Sequence, residues 1–319
     1  MPRLEIRPLS AEFVASAGDL LAERHRTQRA AEPLLPDRYE DAAAAAAEVE
    51  ALASADGASG SVALRGGRVV GYLVGVRKDG AIWGPNVWVE PAGHAVAEAE
   101  DLRDLYCAAS ERWVEEGRPR HYVVAPANAT ELVDAWWRLS FGLQHALALR
   151  KIPDVARPEN VRLADEGDVA ALIDLWPVLP DHQARAPVFG STSRPRETEE
   201  EMRAEILEDL ANPELGDLVA VRDGRVVGAF QLGPVEHSSV HVSLARPAGA
   251  VLLGWAATRP EVRGSGAGVA LTDGAFAWAR EHGYETMTTD WRVTNLLSSR
   301  FWPRRGFRET FLRLYRHIP

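Results

Sequence analysis

The 319-residue chain contains one supersecondary plan twice. Arg65-Gly66-Gly67-Arg68-Val69-Val70-Gly71 returns as Arg222-Asp223-Gly224-Arg225-Val226-Val227-Gly228. SVALR (61–65) and LVAVR (218–222) lead into the two copies, and GYLVGV and GAFQLG continue them. Each copy spells a strand, a tight turn and a strand, with glycine supplying the positive φ that a two-residue hairpin turn demands. Other segments recur in the same order. LEIRPLSAEF resembles NVRLADEGDV (160–169), a short strand followed by polar residues that can start a helix. ANATELVDAWWRLSFG (127–142) parallels TNLLSSRFWPRRGF (294–307), with an Asn, a helical stretch, paired aromatics, a turn and Phe. Such a repeat constrains the fold more than composition does. The proline-bearing segment KIPDVARPEN (151–160) reads as the linker, which gives domains at 1–152 and 153–319.

The second copy mixes strands and helices around one sheet, an α/β (mixed α+β) layout expected of both copies. Strands are expected at Val161–Leu163, 218–232, His237–Ser243, Ala250–Thr258, Thr286–Trp291 and Glu309–Tyr315. Helices are expected at Asp165–Leu175, Glu197–Leu210 and Gly268–His282, with a short one from Asn295. Gly283 is placed to stop the third. Trp176–Thr192, with its prolines, reads as a loop. Ala42–Ala47, flanked by acids, reads as a solvent-covered helix.

Composition narrows the function classes. A net charge of −10 argues against nucleic-acid binding through a general basic surface. No apolar run approaches membrane-spanning length, and MPRLEIRPLS has no signal-peptide core, so a cytoplasmic protein is expected. The lone Cys107 is expected to pack inside a helix, and no Cys/His spacing suggests a metal.

Chemistry concentrates in Arg263-Gly264-Ser265-Gly266-Ala267-Gly268, between an apolar strand and an amphipathic helix. Glycines let the backbone turn and approach a ligand closely. Free N–H groups at the helix start, the helix dipole and Arg263 together favour a pyrophosphate. The loop lacks the Lys-Ser/Thr of a P-loop and the early βαβ unit of a dinucleotide-binding domain.

The stretch Trp255–Gly268 resembles the acetyl-CoA motif of the GNAT superfamily of N-acetyltransferases, a strand followed by (Gln/Arg)-x-x-Gly-x-(Gly/Ala) and a helix. Asn295-Leu-Leu-Ser298-Ser-Arg-Phe301-Trp302-Pro-Arg-Arg-Gly306-Phe307 is similar to that superfamily's second motif. The resemblance implies tandem GNAT-like domains and acetyl-CoA as acyl donor, with no metal. The pyrophosphate would meet Arg263, Gly264, Ser265, Gly266, Ala267, Gly268 and Val269. The pantetheine arm would lie along Ala256, Ala257 and Thr258, with Asn295, Ser298 and Trp302 also at the cofactor.

The chain departs from the pattern in both copies. Where many members carry a Tyr that protonates the departing thiolate, this sequence has Trp302, whose indole is a poor proton donor. Tyr315 and Tyr284 are possible substitutes. The first copy lacks the glycine loop and instead sets Glu98, Glu100 and Asp101 near where a pyrophosphate would sit, which marks it as degenerate.

Candidate bases for the acceptor amine are Asp290 and Glu236, then His237 and His241. His182, Phe189 and His241 are candidate substrate contacts. The expected activity is acetyl transfer from acetyl-CoA, or another acyl-CoA, to a small primary amine by direct attack, in a monomer or homodimer. The alternatives are a non-catalytic acyl-CoA-binding regulatory or scaffold module, and another acyl-CoA chemistry on the same fold.

Overall fold

The computed structural model describes residues 3–80, 83–190 and 198–319. The chain divides into two compact units. The first comprises Met1–Leu147, Val242–Arg246 and Glu309–Pro319; the second comprises Ala148–His241 and Pro247–Arg308. Neither unit is continuous in sequence. The C-terminal strand belongs to the first, whereas the residues just before the expected 152/153 boundary belong to the second.

In chain order, the first stretch carries β1 (Leu4–Pro8), α1 (Val14–Ala31), α2 (Ala42–Ala53), β2 (Ser59–Arg65), β3 (Arg68–Gly75), β4 (Asn86–Val89) and β5 (His94–Val96). It continues with α3 (Asp101–Glu115), β6 (Arg120–Pro126), α4 (Thr130–Arg138) and β7 (Gly142–Lys151). The second stretch carries β8 (Val161–Leu163), α5 (Val169–Leu175), α6 (Val178–Gln183), α7 (Glu199–Ala211), β9 (Gly216–Arg222), β10 (Arg225–Pro234) and β11 (Val251–Thr258). Then come α8 (Ala267–Glu281), β12 (Thr286–Arg292), α9 (Ser298–Arg304) and β13 (Arg308–His317). The order of strands and helices is repeated, and both copies are mixed sheets flanked by helices.

In the first unit β1-β2-β3-β5 form an antiparallel sheet. Beside it, β4 runs parallel to β6, and β13 runs antiparallel to β6 from Phe311↔Pro126 to His317↔Arg120. In the second unit the order is β12-β11-β10-β9-β8, antiparallel except for the β11–β12 pair. Both repeated hairpins turn through left-handed residues, Gly66 and Gly67 (φ 62° and 81°) and Asp223 and Gly224 (φ 50° and 73°). That geometry matches the right-handed twist of the strands on either side.

The second unit buries apolar groups on both faces of its sheet. On one face α8 seats Leu271, Ala275, Phe276 and Trp278, spaced to form a stripe. Its close approach needs small residues. A Cβ on Gly216 would lie 2.5 Å from the Trp278 indole, and one on Gly274 would lie 2.5 Å from Val161. On the other face Val169, Leu172 and Leu175 of α5 and Ile206 of α7 pack on Val219 and Ala229. Each such side chain contributes roughly 1.5–3 kcal/mol by leaving water.

Several expectations are corrected. His237–Ser243 is not a strand but lies between short 3₁₀ turns at Val235–His237 and Ser243–Ala245. The Ser238 hydroxyl accepts the N–H groups of Val240 (3.2 Å) and His241 (2.9 Å), a local bond that competes with a ladder. The expected loop Trp176–Thr192 contains α6, whose first turn accommodates Pro180 where no N–H is needed; Ser191 and Thr192 lie outside the described residues. Glu197 does too, and α7 instead begins from a capping box between Thr198 and Glu201. Cys107 is exposed on α3 rather than packed. No described helix is long and apolar enough to cross a membrane.

Candidate functional site

The second unit has one place where its sheet comes apart. β11 and β12 pair only at Val251↔Met287 and Leu252↔Thr288. Thr289 Oγ1 still donates to the Leu253 carbonyl (3.1 Å), and beyond that point no described pair joins the strands. On its other edge β11 stays paired with β10 as far as Thr258↔Gly228, interrupted by a bulge that leaves Gly254 unpaired. Gly254 is exposed. A bulge re-aims the strand and frees backbone groups. Ala256, Ala257 and Thr258 therefore present one ladder edge to β10 and the other to the gap.

The gap leads to the glycine loop. Gly264 and Gly266 hold φ of 81° and 93°, and a Cβ at either would meet nothing within 4 Å. Residues from Arg263 to Gly266 are exposed. Gly266 is the N-cap of α8 and provides no side-chain bond, so the first-turn N–H groups at Ala267, Gly268 and Val269 are left for an outside acceptor. Open space, free donors and the positive helix end fit a pyrophosphate. Before the loop, Arg259 donates from Nε to the Val226 carbonyl (3.0 Å) and pairs with Asp174 (3.3 Å). Gly268 lies against the Phe301 ring of α9.

The second motif is held beside this loop. Asn295 is buried, and its Oδ1 accepts from Leu297 (3.1 Å) and Ser298 (3.4 Å) at the start of α9. The same oxygen accepts from His182 Nε2 (3.1 Å), so the structure brings together an expected cofactor residue and an expected substrate residue. Next to His182, Gln183 accepts from Arg292 at the end of β12 (3.3 Å), which ties α6 over the open ends of the strands. Ser298 is half-buried.

Other expected residues scatter. Trp302 is a core ring, packed against Phe230, Phe301 and Phe307. Asp290 is half-buried on the separated part of β12 and already partnered. Glu236 is exposed past the end of β10, and His237 lies 3.9 Å from Glu214. Tyr284 stands near Glu236 and Glu214, whose charges add to burial in raising its phenol pKa. His241 is buried against Ser238 (3.1 Å), a position closed to solvent. Phe189 is 74% exposed. Tyr315 lies on β13 in the first unit, tilted on Tyr122 at 4.8 Å.

Sequence reasoning missed a polar group on the α5/α7 face. Asp217 (β9), Gln231 (β10) and Trp255 (β11) are direct cross-strand neighbours. Gln231 Nε2 donates to Asp209 of α7 at 2.7 Å and its amide also serves Asp217. Burial, then the Asp209 charge, push the Asp217 carboxyl up to about 6. Trp255 faces Trp176 at 6.0 Å. A signal was present: in GDLVAVR, Asp217 shares the strand face of Val219 and Val221, so it points at the helices.

The counterpart region of the first unit is filled. Its strand is broken between β4 and β5, and Arg24 of α1 donates across the break to the carbonyls of Pro91 (2.6 Å) and His94. His94 is fully buried, with Nε2 donating to Val124 (3.3 Å) and its ring against Trp136. Arg65 pairs with Glu98 (3.0 Å) and Asp101 (2.6 Å), and no glycine loop precedes α3.

A sheet that splays beside a bulge, ending in a glycine loop and a helix N-terminus, defines an acyltransferase-like fold of the GNAT type. Residues 162–307 match the model of the acetyltransferase (GNAT) family. Over 98% of its length the chain is similar to a GCN5-related N-acetyltransferase from Sphaerobacter thermophilus, at 14% identity and a TM-score of 0.57, covering 95% of that chain. It is also similar to a tandem GNAT protein from the clavulanic acid biosynthesis pathway, at 16% identity and a TM-score of 0.48 over 99% of each chain. No curated protein matches the sequence. The family match lies within the second half of the chain, and the likeness over the whole chain is one of fold, a GNAT-type fold.

Proposed function

We propose that the second unit is an N-acetyltransferase that moves an acetyl group from acetyl-CoA to a small primary amine by direct attack. The observation that carries this reading is the continuity of three features on one strand. The bulge at Gly254, the unpaired edge of 256–258 and the uncapped start of α8 follow one another along β11 and its loop. The pyrophosphate is held by the N–H groups of 264–269 with Arg263 beside them, and the pantetheine pairs with the β11 edge as an added strand. The Gly254 N–H, freed by the bulge, is the donor for the oxyanion of the tetrahedral intermediate. His182 and Asn295 close the mouth of the gap.

A second reading, an acyl-CoA-binding module without transfer, is favoured by one observation. Trp302, at the position where the family resemblance implies a proton-donating Tyr, is buried among aromatic rings. Free-thiol release from acetyl-CoA separates the two. Amine-dependent release by the wild type, lost in Gly266→Glu at a temperature where the variant is still folded, supports transfer at this loop. Tight CoA binding with no release across an amine panel supports the binding module.

A further inference from the structure

We propose that Asp217 is the group that takes the proton from the acceptor amine, an assignment that rests on the acetyl-transfer reading above. The row Asp217–Gln231–Trp255 crosses the sheet beside the Gly254 bulge and faces α5 and α7. Asp217 and the bulge strand are two strand spacings apart, about 10 Å, with the Gln231 amide between them on the same face. The Trp176–Trp255 pair sets apolar surface at the β11 end of this row.

The surroundings suit a base. Asp217 is half-buried, and among the described residues no Lys, Arg or His pairs with it or with Asp209. Two basic groups on neighbouring elements are already used. Arg162 of β8 holds Asp168 through both terminal nitrogens (2.6 and 2.9 Å), and Arg259 pairs with Asp174. What acts on Asp217 is the Asp209 anion from α7 and the Gln231 amide from β10. Two carboxylates sharing one amide repel each other, and a cationic ammonium relieves that repulsion. Burial and the Asp209 charge hold the carboxyl near 6, poised for proton transfer at neutral pH. The residues first expected in this role are placed less well: Asp290 is already engaged and Glu236 is exposed beyond the end of β10.

The step balances simply. The ammonium gives one proton through water to the Asp217 carboxylate, and the freed nitrogen lone pair forms the C–N bond at the thioester carbonyl. The C–S bond breaks with its electron pair on sulfur. The second nitrogen proton passes through solvent to the thiolate, leaving amide, CoA thiol and a protonated Asp217 that returns its proton to solvent.

The test is the pH profile of kcat/KM for the amine, with the wild type, Asp217→Asn, Asp209→Asn and Asp290→Asn, and CoA affinity measured for each. Expected for the wild type is an acidic limb near pH 6. Asp217→Asn loses that limb and falls roughly 10²-fold or more while binding CoA as before. Asp209→Asn, by removing the neighbouring anion, moves the limb to lower pH. Asp290→Asn leaves it in place. An acidic limb that survives in Asp217→Asn, or that Asp209→Asn does not move, overturns the assignment while acetyl transfer stands. A wild type that binds CoA and acetylates no amine overturns both.

Discussion

Asp217 destabilises the fold it belongs to, and the sign follows from its protonation. Its folded pKa is raised from 3.8 to about 6. Between those values the native state keeps a proton that the unfolded chain has released, so stability falls as pH rises through the window and levels off above it. Asn at this position carries no charge at any pH. Asp217→Asn is therefore expected to be more stable than the wild type at pH 8, by about 1–2 kcal/mol once solvent screening is allowed for. Near pH 4 the gain disappears. Thermal melts at the two pH values check this, with a rise of roughly 3–6 °C at the higher one. A group kept at a site despite such a penalty fits a functional role. The glycines were easier to find than this carboxylate. Gly264 and Gly266 announce themselves because only glycine adopts their φ without strain, whereas Asp217 is marked only by the face it shares with Val219. For the same reason Gly266→Ala is expected to lower stability by about 1 kcal/mol, and denaturant titration measures it.

At the scale of elements, the repeat predicted hairpins and helices well because each is specified locally. The turn glycines fix the hairpins, and the apolar stripe of α8 fixes its face. What the sequence concealed depends on pairings distant in the chain. The splay of β11 from β12 and the bulge at Gly254 have no local signature, and neither does the bond from His182 to Asn295 across 113 residues. Asn295 caps α9 through two N–H groups while receiving the His182 bond, so it couples α6 to the second motif. Asn295→Ala is expected to cost about 1 kcal/mol through the lost cap. It also releases α6 from the mouth of the gap, so the KM for the amine should rise more than that for acetyl-CoA. Asn295→Asp retains the cap and separates the two effects; steady-state kinetics and melts on both variants read them out.

For the whole molecule, the same order of elements ends differently in the two units. In the second, the strand break is left open beside a glycine loop. In the first, Arg24 and His94 occupy the break between β4 and β5. Burial, with the nearby Arg24 charge, depresses the His94 pKa to about 3, and burial depresses that of His121 to about 4. Both rings stay neutral in the native state while the unfolded chain protonates near 6.5. Stability of the first unit must then fall as pH drops below 6.5, by about 2 kcal/mol per histidine on reaching pH 5. Denaturant titrations at pH 7 and pH 5 should show this fall, and His94→Gln should reduce it. The division of the chain leads to a further expectation. β13 belongs to the first unit, where it covers the edge of β6 from Arg120 to Pro126, and residues 148–151 belong to the second. A fragment ending at Ile152 keeps the first hairpin and helices but loses β13, leaving an apolar β6 edge open to pairing with other chains. Such a fragment is expected to aggregate, and adding a peptide spanning Arg308–Pro319 should restore a soluble species. Size-exclusion chromatography with and without the peptide decides it: a fragment that is monomeric alone would mean that β13 is dispensable to the unit it completes.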